Sequence, residues 1–466
     1  METQAPKEKI NAIILVAITL LGLALRLYHL DFQSLWYDEL HSIVPTNPEN
    51  SLASIIEYCK IDQPPAFFIY LYSFFHVFGY NEIIGRLASV ILGVISIPVM
   101  YSLGREVRGH KAGLFAALLT SLNYMHIYYS QELRFYTMAF LFTALSFLFL
   151  IRAFRSNRFL HFAAYVVFTS ALLYTHYYGL VIYGVQVLVF IMLSLYSRQR
   201  KFIVAGLVSG MLVIGLFLPW IPVVLSDLQI ASFWIRMPEP TFIADYFYYY
   251  FGKDAIVSAI FIVLIWFFVR GHTTRDNASV DNRAVSMVLI FWLVFSYLIP
   301  YIKSLIGPPM LYVRYTIVSL PAWLLIIAIG WDDIKHKRWR LSIVVVVALS
   351  MLINLFFIRK HYHKVDKQQF REASAFVDQH NNDQSPLYSR FFWHFNFYFR
   401  DKDMKVSDVN TADFAQIQKF WLLQAEFFSP EEKNEVLQRF TDQFDIAERH
   451  SFHKTEVLLM KRKAGL

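Results

Sequence analysis

Residues 10–40 read INAIILVAITLLGLALRLYHLDFQSLWYDEL, an apolar run followed directly by a loop that carries aromatic rings and the acidic pair Asp38-Glu39. A hydrocarbon core about 30 Å thick is crossed by roughly 20 apolar residues in an α-helix, where the backbone satisfies its own hydrogen bonds. The run at 11–27 meets that requirement. It also imitates the apolar part of a signal peptide, but Arg26, Leu27 and Tyr28 stand where a small-residue cleavage site would fall. The segment is therefore expected to stay as a first transmembrane helix.

Composition extends this reading to the whole chain. Of 466 residues 56% are apolar and only 17% charged, and the mean hydropathy is +0.42, a balance foreign to soluble domains. The aromatic share, 44 Phe, 28 Tyr and 10 Trp, suits helices that pack in lipid with rings at both interfaces. A formal charge of +8 would suit a nucleic-acid binder, but the basic residues fall in short clusters between apolar runs, as cytoplasmic loops require, so no nucleic-acid partner is expected. With Cys59 as its one cysteine, the chain has no internal disulfide and no CxxC metal site.

Stretches long enough to cross lie near 10–28, 83–104, 112–129, 135–151, 159–175, 179–196, 202–223, 254–269, 284–302, 315–331 and 341–358, about eleven in all. The apolar stretch 66–78 is short, and whether it crosses sets the facing of everything after it. If it lies in the interface, the basic clusters Arg105/Arg108/Lys111, Arg152/Arg155/Arg158, Arg198/Arg200/Lys201, Arg270/Arg275/Arg283 and Lys335/Lys337/Arg338/Arg340 all fall on one side with Lys7 and Lys9. The opposite gaps hold no more than two Lys or Arg each. This asymmetry predicts a cytoplasmic N-terminus and an external or periplasmic C-terminal segment in a multi-pass plasma-membrane protein. The fold expected is an all-α polytopic membrane domain, 1–358, with an external loop at 29–82, followed by a small α/β domain at 359–466. In the latter, strands are expected at 420–424 and 456–460 and helices at 366–379 and 430–442.

The same topology gathers Asp38, Glu39, Asp62, Glu132, Arg134, His176, Lys303 and Arg314 on the external face, and polar groups collected at one membrane face suggest one site. Each group has an ordinary reading as well: an acidic loop, an Arg-Glu tie between helix ends at 132–134, a histidine in an aromatic belt, and an arginine at 314 that snorkels to headgroups. A carboxylate next to a membrane is suited to act as a general base, and adjacent Asp38 and Glu39 point apart, so one does the chemistry while the other orients.

The order of the motifs is more specific than any one of them. Trp36-Tyr37-Asp38-Glu39, Asp62-Gln63-Pro64-Pro65, Arg86-Leu87-Ala88-Ser89, Leu103-Gly104-Arg105, the run 128–136 (YYSQELRFY), His176-Tyr177-Tyr178-Gly179 and Arg314-Tyr315 together resemble bacterial membrane glycosyltransferases of the GT-C class. Their relatives are the protein O-mannosyltransferases and the lipid A aminoarabinose transferases. The resemblance implies a polyprenyl-phosphate sugar donor, membrane lipids as neighbours, and transfer with inversion to the hydroxyl of a glycan, lipid or protein acceptor at the external face. It implies Asp38 as base with Glu39 assisting, Arg134 and Arg314 with Lys303 on the donor phosphate, and Asp62, Gln63, Glu132, His176, Tyr136 and Tyr315 in support. Gln63 stands where the family carries a basic residue, which points to a different sugar. No cofactor is implied, and the scheme does not require a divalent metal. The resemblance thus predicts a hexosyl- or pentosyltransferase, mannosyltransferase-like. A multi-pass transporter or flippase is the alternative; it would place ionisable residues near the midplane of repeated halves, and no repeat is visible.

Overall fold

The computed structural model describes residues 4–61, 63–227, 235–274, 280–426 and 431–464. Contacts divide the chain into two compact units. A transmembrane unit comprises Met1–Tyr28, Ser51–Ser73 and Arg86–Tyr362, and a tail unit comprises His29–Asn50, Phe74–Gly85 and His363–Leu466. The C-terminal segment therefore has the acidic loop as a component of its own unit.

Helix occupies all eleven apolar stretches. Among the described residues, eight helices are long and apolar enough to cross alone: Lys7–Leu27, Glu82–Arg108, Tyr136–Ser156, Tyr178–Ser197, Arg200–Asp227, Arg283–Ile306, Tyr315–Asp332 and Lys337–Ile358. Phe242–Tyr250 and Ala255–Gly271 make a ninth candidate, bent by 112°. The expected crossing at 112–129 is interrupted. Asn123 ends the helix His110–Leu122 with extended backbone and begins Tyr124–Ser130 by accepting the His126 amide at 2.9 Å. Its amide also donates to the Tyr250 carbonyl at 3.0 Å, so one side chain both breaks and anchors the span. Ala66–Phe78 is a helix of 13 residues, about 20 Å long and short of a bilayer core. Leu103-Gly104-Arg105 has a packing reason: a Cβ on Gly104 would stand 2.8 Å from the Gly113 Cα, so the two helices meet through glycine.

In the tail unit five strands form one sheet: β1 (Leu387–Ser389), β2 (Val406–Asp408), β3 (Lys419–Ala425), β4 (Phe444–Phe452) and β5 (Thr455–Arg462), in the order β2-β1-β3-β5-β4. β1 runs parallel to both neighbours, while β3, β5 and β4 pair antiparallel. β3 is a nearly unbroken apolar run because it is buried on both faces. The core is Val409, Phe420, Leu422, Val436, Phe440, Phe444, Leu458 and Met460. β4 is an edge strand with charged Glu448 and Arg449 outward, and the turn into β5 places Lys454 at φ +54°. The helices of its C-terminal segment among the described residues are Phe370–His380, Phe392–Phe399 and Glu431–Gln438.

Candidate active site

In the transmembrane unit, Arg134, His176 and Arg314 come together from three separate turns. The Phe135 ring stacks on His176 at 4.5 Å, and the Tyr315 ring meets the histidine, tilted, at 4.7 Å. Arg134 lies over the Phe135 ring at 4.8 Å, and Arg314 over Tyr312 and Tyr315 at 5.2 and 5.6 Å. Such cation–π placement orients a guanidinium without consuming its charge. His176 is buried, and the Tyr178 amide donates to its Nδ1 at 3.1 Å, which puts the ring proton on Nε2. Burial, reinforced by the positive charges of Arg134 and Arg314, pulls its pKa down to about 3. The imidazole is therefore neutral at physiological pH and its environment is electropositive.

Neighbouring motif residues hold this cluster in place. The Ser89 hydroxyl donates to the Arg134 carbonyl at 3.4 Å, and Thr137 donates to the Ser89 carbonyl at 3.2 Å. The Ala66 amide donates to the Tyr174 carbonyl at 2.8 Å, which brings the Pro64-Pro65 turn against the one carrying His176. Gln63 is half-buried in that turn, and its Oε1 has no hydrogen-bond partner among the described residues. Asp62 lies outside the described residues. Tyr178 donates to the Met310 carbonyl at 3.2 Å, tying in the loop before Arg314. Glu132 and Tyr136 are buried within the same motif, with Tyr136 packed on Tyr129 and Phe135 at 4.5 and 4.6 Å. Lys303 is engaged locally, donating to the Pro308 carbonyl at 2.6 Å.

Arg26, which the sequence reading used only as an argument against cleavage, belongs to this support. It is fully buried and makes five hydrogen bonds: to Ser130 Oγ (3.1 Å), the carbonyls of Gly22 (2.8 Å), Ser121 (3.1 Å) and Thr120 (3.0 Å), and His126 Nδ1 (2.8 Å). Gln131 returns the tie, donating to the Arg26 and Tyr28 carbonyls at 2.9 Å and pairing with His361 at 2.8 Å. Ser130 and Gln131 thus fix the start of the loop that presents Glu132 and Arg134.

The tail unit holds the acidic pair on the helix Tyr37–Ile43. Glu39 is fully buried; its Oε2 accepts from Lys367 Nζ at 2.8 Å and from the Trp36 amide at 3.3 Å, closing the helix start. Gln368 accepts the Tyr37 amide through its side chain at 3.2 Å and the Ser34 hydroxyl through its carbonyl at 2.6 Å. Gln33 accepts the amides of Asp366 and Lys367 at 2.8 and 3.0 Å. Asp38, on the same helix turn, is 9% exposed and so keeps a small opening that Glu39 lacks. Lys367 and Gln368 escaped the sequence reading because they lie at and just beyond the end of a strongly basic run, 359–367, where nothing local marks a buried side chain. Tyr37 stacks on buried His394 at 4.6 Å, so an aromatic layer backs the helix.

Comparisons with known proteins agree with this architecture. Residues 62–222 match the family model of dolichyl-phosphate-mannose-protein mannosyltransferases. Among solved structures, ArnT from Cupriavidus metallidurans in the apo state superposes with a TM-score of 0.65 at 13% identity, covering 98% of each chain. The same protein bound to undecaprenyl phosphate gives 0.66 at 12% identity, covering 96% of this chain and 97% of that one. The archaeal oligosaccharyltransferase AglB from Archaeoglobus fulgidus, in complex with an inhibitory peptide and a dolichol-phosphate, gives 0.57 at 9% identity over 90% of this chain and 70% of its own. No curated protein matches by sequence. The chain thus has the fold of these GT-C structures, and its residues 62–222 are similar in sequence to the mannosyltransferase family.

Proposed function

We propose that the protein transfers a sugar from a polyprenyl-phosphate donor to an acceptor hydroxyl at the external or periplasmic face of the plasma membrane, by a single displacement with inversion. The observation that carries this reading is the convergence of Arg134 and Arg314 on the neutral His176. Two fixed guanidinium groups among aromatic rings suit a lipid phosphate that leaves with its charge, because such a leaving group needs charge stabilisation more than an acid. That ArnT is bound to undecaprenyl phosphate and AglB to a dolichol-phosphate supports a donor of this chemistry.

In this reading Asp38 takes the proton from the acceptor hydroxyl as the hydroxyl oxygen attacks the anomeric carbon and the phosphate oxygen departs with the bonding pair. Glu39, neutralised by Lys367 and spent on the helix start, positions Asp38. Gln63, whose oxygen has no partner among the described residues, offers the sugar a hydrogen-bond acceptor, while Asp62, Glu132, Tyr136 and Tyr315 shape the donor site and Lys303 stiffens its 303–308 turn. The basic clusters support a cytoplasmic N-terminus and an external tail. Reconstituted protein with a radiolabelled polyprenyl-phosphate sugar tests the scheme. Asp38→Asn is expected to lower transfer on the order of a thousandfold while the protein stays folded; near-wild-type transfer in that variant would remove Asp38 as base.

A further inference from the structure

The helix Phe242–Tyr250 is the short arm of the bent pair, and Tyr246 and Tyr250, four residues apart, share one of its faces. It packs against the helix Arg283–Ile306, with the Phe242 ring stacked on Tyr301 at 5.4 Å. Its corner is fixed. Gly252 sits at φ +71°, and a Cβ there would stand 2.5 Å from Asn354 Oδ1, so the corner requires glycine. Side chains satisfy the carbonyls that the break frees: Asn123 donates to Tyr250 at 3.0 Å and Arg359 Nε to Gly252 at 2.6 Å. Asp254 restarts the helix by accepting the Val257 amide at 3.0 Å, and it also accepts the Ser350 hydroxyl at 2.8 Å.

The segment held by this short arm is the one that presents Arg314. That arginine precedes a tight turn, Tyr315–Ser319, and hydroxyl groups tie the backbone on both sides of it. Tyr178 donates to the Met310 carbonyl at 3.2 Å and Tyr246 to the Leu311 carbonyl at 3.3 Å. The Thr316 hydroxyl donates to the Val313 carbonyl at 2.7 Å. With that proton committed, Thr316 Oγ1 accepts from the hydroxyl of fully buried Tyr250. Tyr297 joins Tyr250, at 2.6 Å, to Ser319, at 2.7 Å, and Trp323 Nε1 donates to it at 3.0 Å. One hydrogen-bonded chain thus links the corner of the bent span to the Arg314 turn.

We propose that Tyr250 is a positioning residue for donor binding, its hydroxyl fixing the turn from which Arg314 reaches the donor phosphate. This rests on the donor-binding reading of Arg314. Tyr250 acts through the 313–316 backbone, because its own hydroxyl is buried and spent on Thr316 and Tyr297. A misplaced guanidinium weakens the hold on the phosphate in substrate and transition state alike, so the loss falls on KM.

The test measures donor KM and kcat of the reconstituted full chain with a radiolabelled polyprenyl-phosphate sugar. NMR of labelled histidine adds the ring-proton resonances of His176, which lies 4.7 Å from the Tyr315 ring. Tyr250→Phe keeps the ring and is expected to raise donor KM about fivefold, the value of one hydrogen bond, with kcat within about twofold and the His176 resonances moved. Thr316→Val removes the acceptor of the same bond and is expected to do likewise, which keeps the test decisive if Tyr250→Phe does not fold. Tyr250→Phe combined with Arg314→Ala is expected to raise KM no further than Arg314→Ala alone, since one acts through the other. Thr169→Val removes a buried hydroxyl that meets Gln186 at 3.3 Å and is expected to leave KM and the His176 resonances unchanged. Unmoved resonances in Tyr250→Phe, an unchanged KM there while Arg314→Ala raises it, additive effects of the two, or an equal KM rise in Thr169→Val would each overturn the assignment. An unchanged KM in Arg314→Ala with moved resonances in Tyr250→Phe would instead sink the donor reading, and the role of Tyr250 with it, while leaving the anchoring of the turn in place.

Discussion

Arg26 in the transmembrane unit and Glu39 in the tail unit come from one short stretch of sequence, and both are fully buried, yet they are stabilised in opposite ways. Arg26 has neutral partners: three carbonyls, a hydroxyl and an imidazole nitrogen. Glu39 has a counter-charge, Lys367 at 2.8 Å. A guanidinium with its planar fork distributes one charge over several acceptors, while a carboxylate concentrates its charge and needs a cation or several donors. The first arrangement locks helices around a motif; the second makes the acidic loop depend on a distant segment of the chain.

Removing Arg26 tests that contrast most severely. Arg26→Met deletes five hydrogen bonds, several of them charge-assisted, and is expected to destabilise the fold by about 5 kcal/mol, read as a large drop in Tm in detergent. Arg26→Lys restores only part of it, because an ammonium has three donors and no fork. A Tm within a few degrees of wild type for Arg26→Met would show the network to be dispensable.

Lys367→Ala is the next largest. It strands a buried carboxylate and is expected to cost about 3 kcal/mol in the tail unit, with transfer activity falling too. Glu39→Gln combined with Lys367→Met removes both charges and is expected to recover most of the stability. If transfer also recovers in the double variant, Glu39 acts through position alone; if stability returns without activity, its charge takes part in the chemistry.

These two residues also mark where the sequence was readable. The membrane fold was legible because crossing a bilayer demands long apolar runs, and the basic clusters gave one consistent assignment of sides. His176 and Arg314 were legible as polar residues next to spans, and the structure brings them together with Arg134 because each sits in a turn at the same end of the bundle. Lys367 was not legible. It pairs with a residue 328 positions away and lies among Arg359, Lys360, Lys364 and two histidines, where no local pattern distinguishes a buried lysine from a solvated one. β4 was missed for a related reason: an edge strand with charged outward positions lacks the apolar alternation that betrays β3 and β5. Asn123 hid inside an apolar run, although a capping side chain followed by a new helix is a recognisable sequence signal.

Within the transmembrane unit, Arg314→Ala leaves Arg26 and its network untouched and is expected to raise the donor KM roughly tenfold, the value of one charge-assisted phosphate contact. Stability should change little. An unaltered KM would separate Arg314 from donor binding and return it to a surface role.

The smallest effect is also the most specific. His176 is held at a pKa of about 3, first by burial and then by the Arg134 and Arg314 charges. A depressed folded-state pKa means that the unfolded chain binds a proton first, so this group's contribution to stability is complete above about pH 6.5 and is lost as pH falls toward 3. His176→Gln is therefore expected to unfold at lower pH than wild type, provided the glutamine packs against Phe135 and Tyr315, and to leave the shape of the pH–rate profile between about pH 5 and 8 unchanged. Removing either arginine takes away a repelling charge, so the His176 pKa should rise in Arg134→Ala and, by less, in Arg314→Ala, since the Arg134 charge is the stronger influence. NMR of selectively labelled histidine reads both shifts. A His176 signal that titrates identically in wild type and both variants would mean that the arginine charges do not act on this ring, and the cationic cluster would lose the physical basis of its proposed donor-binding role.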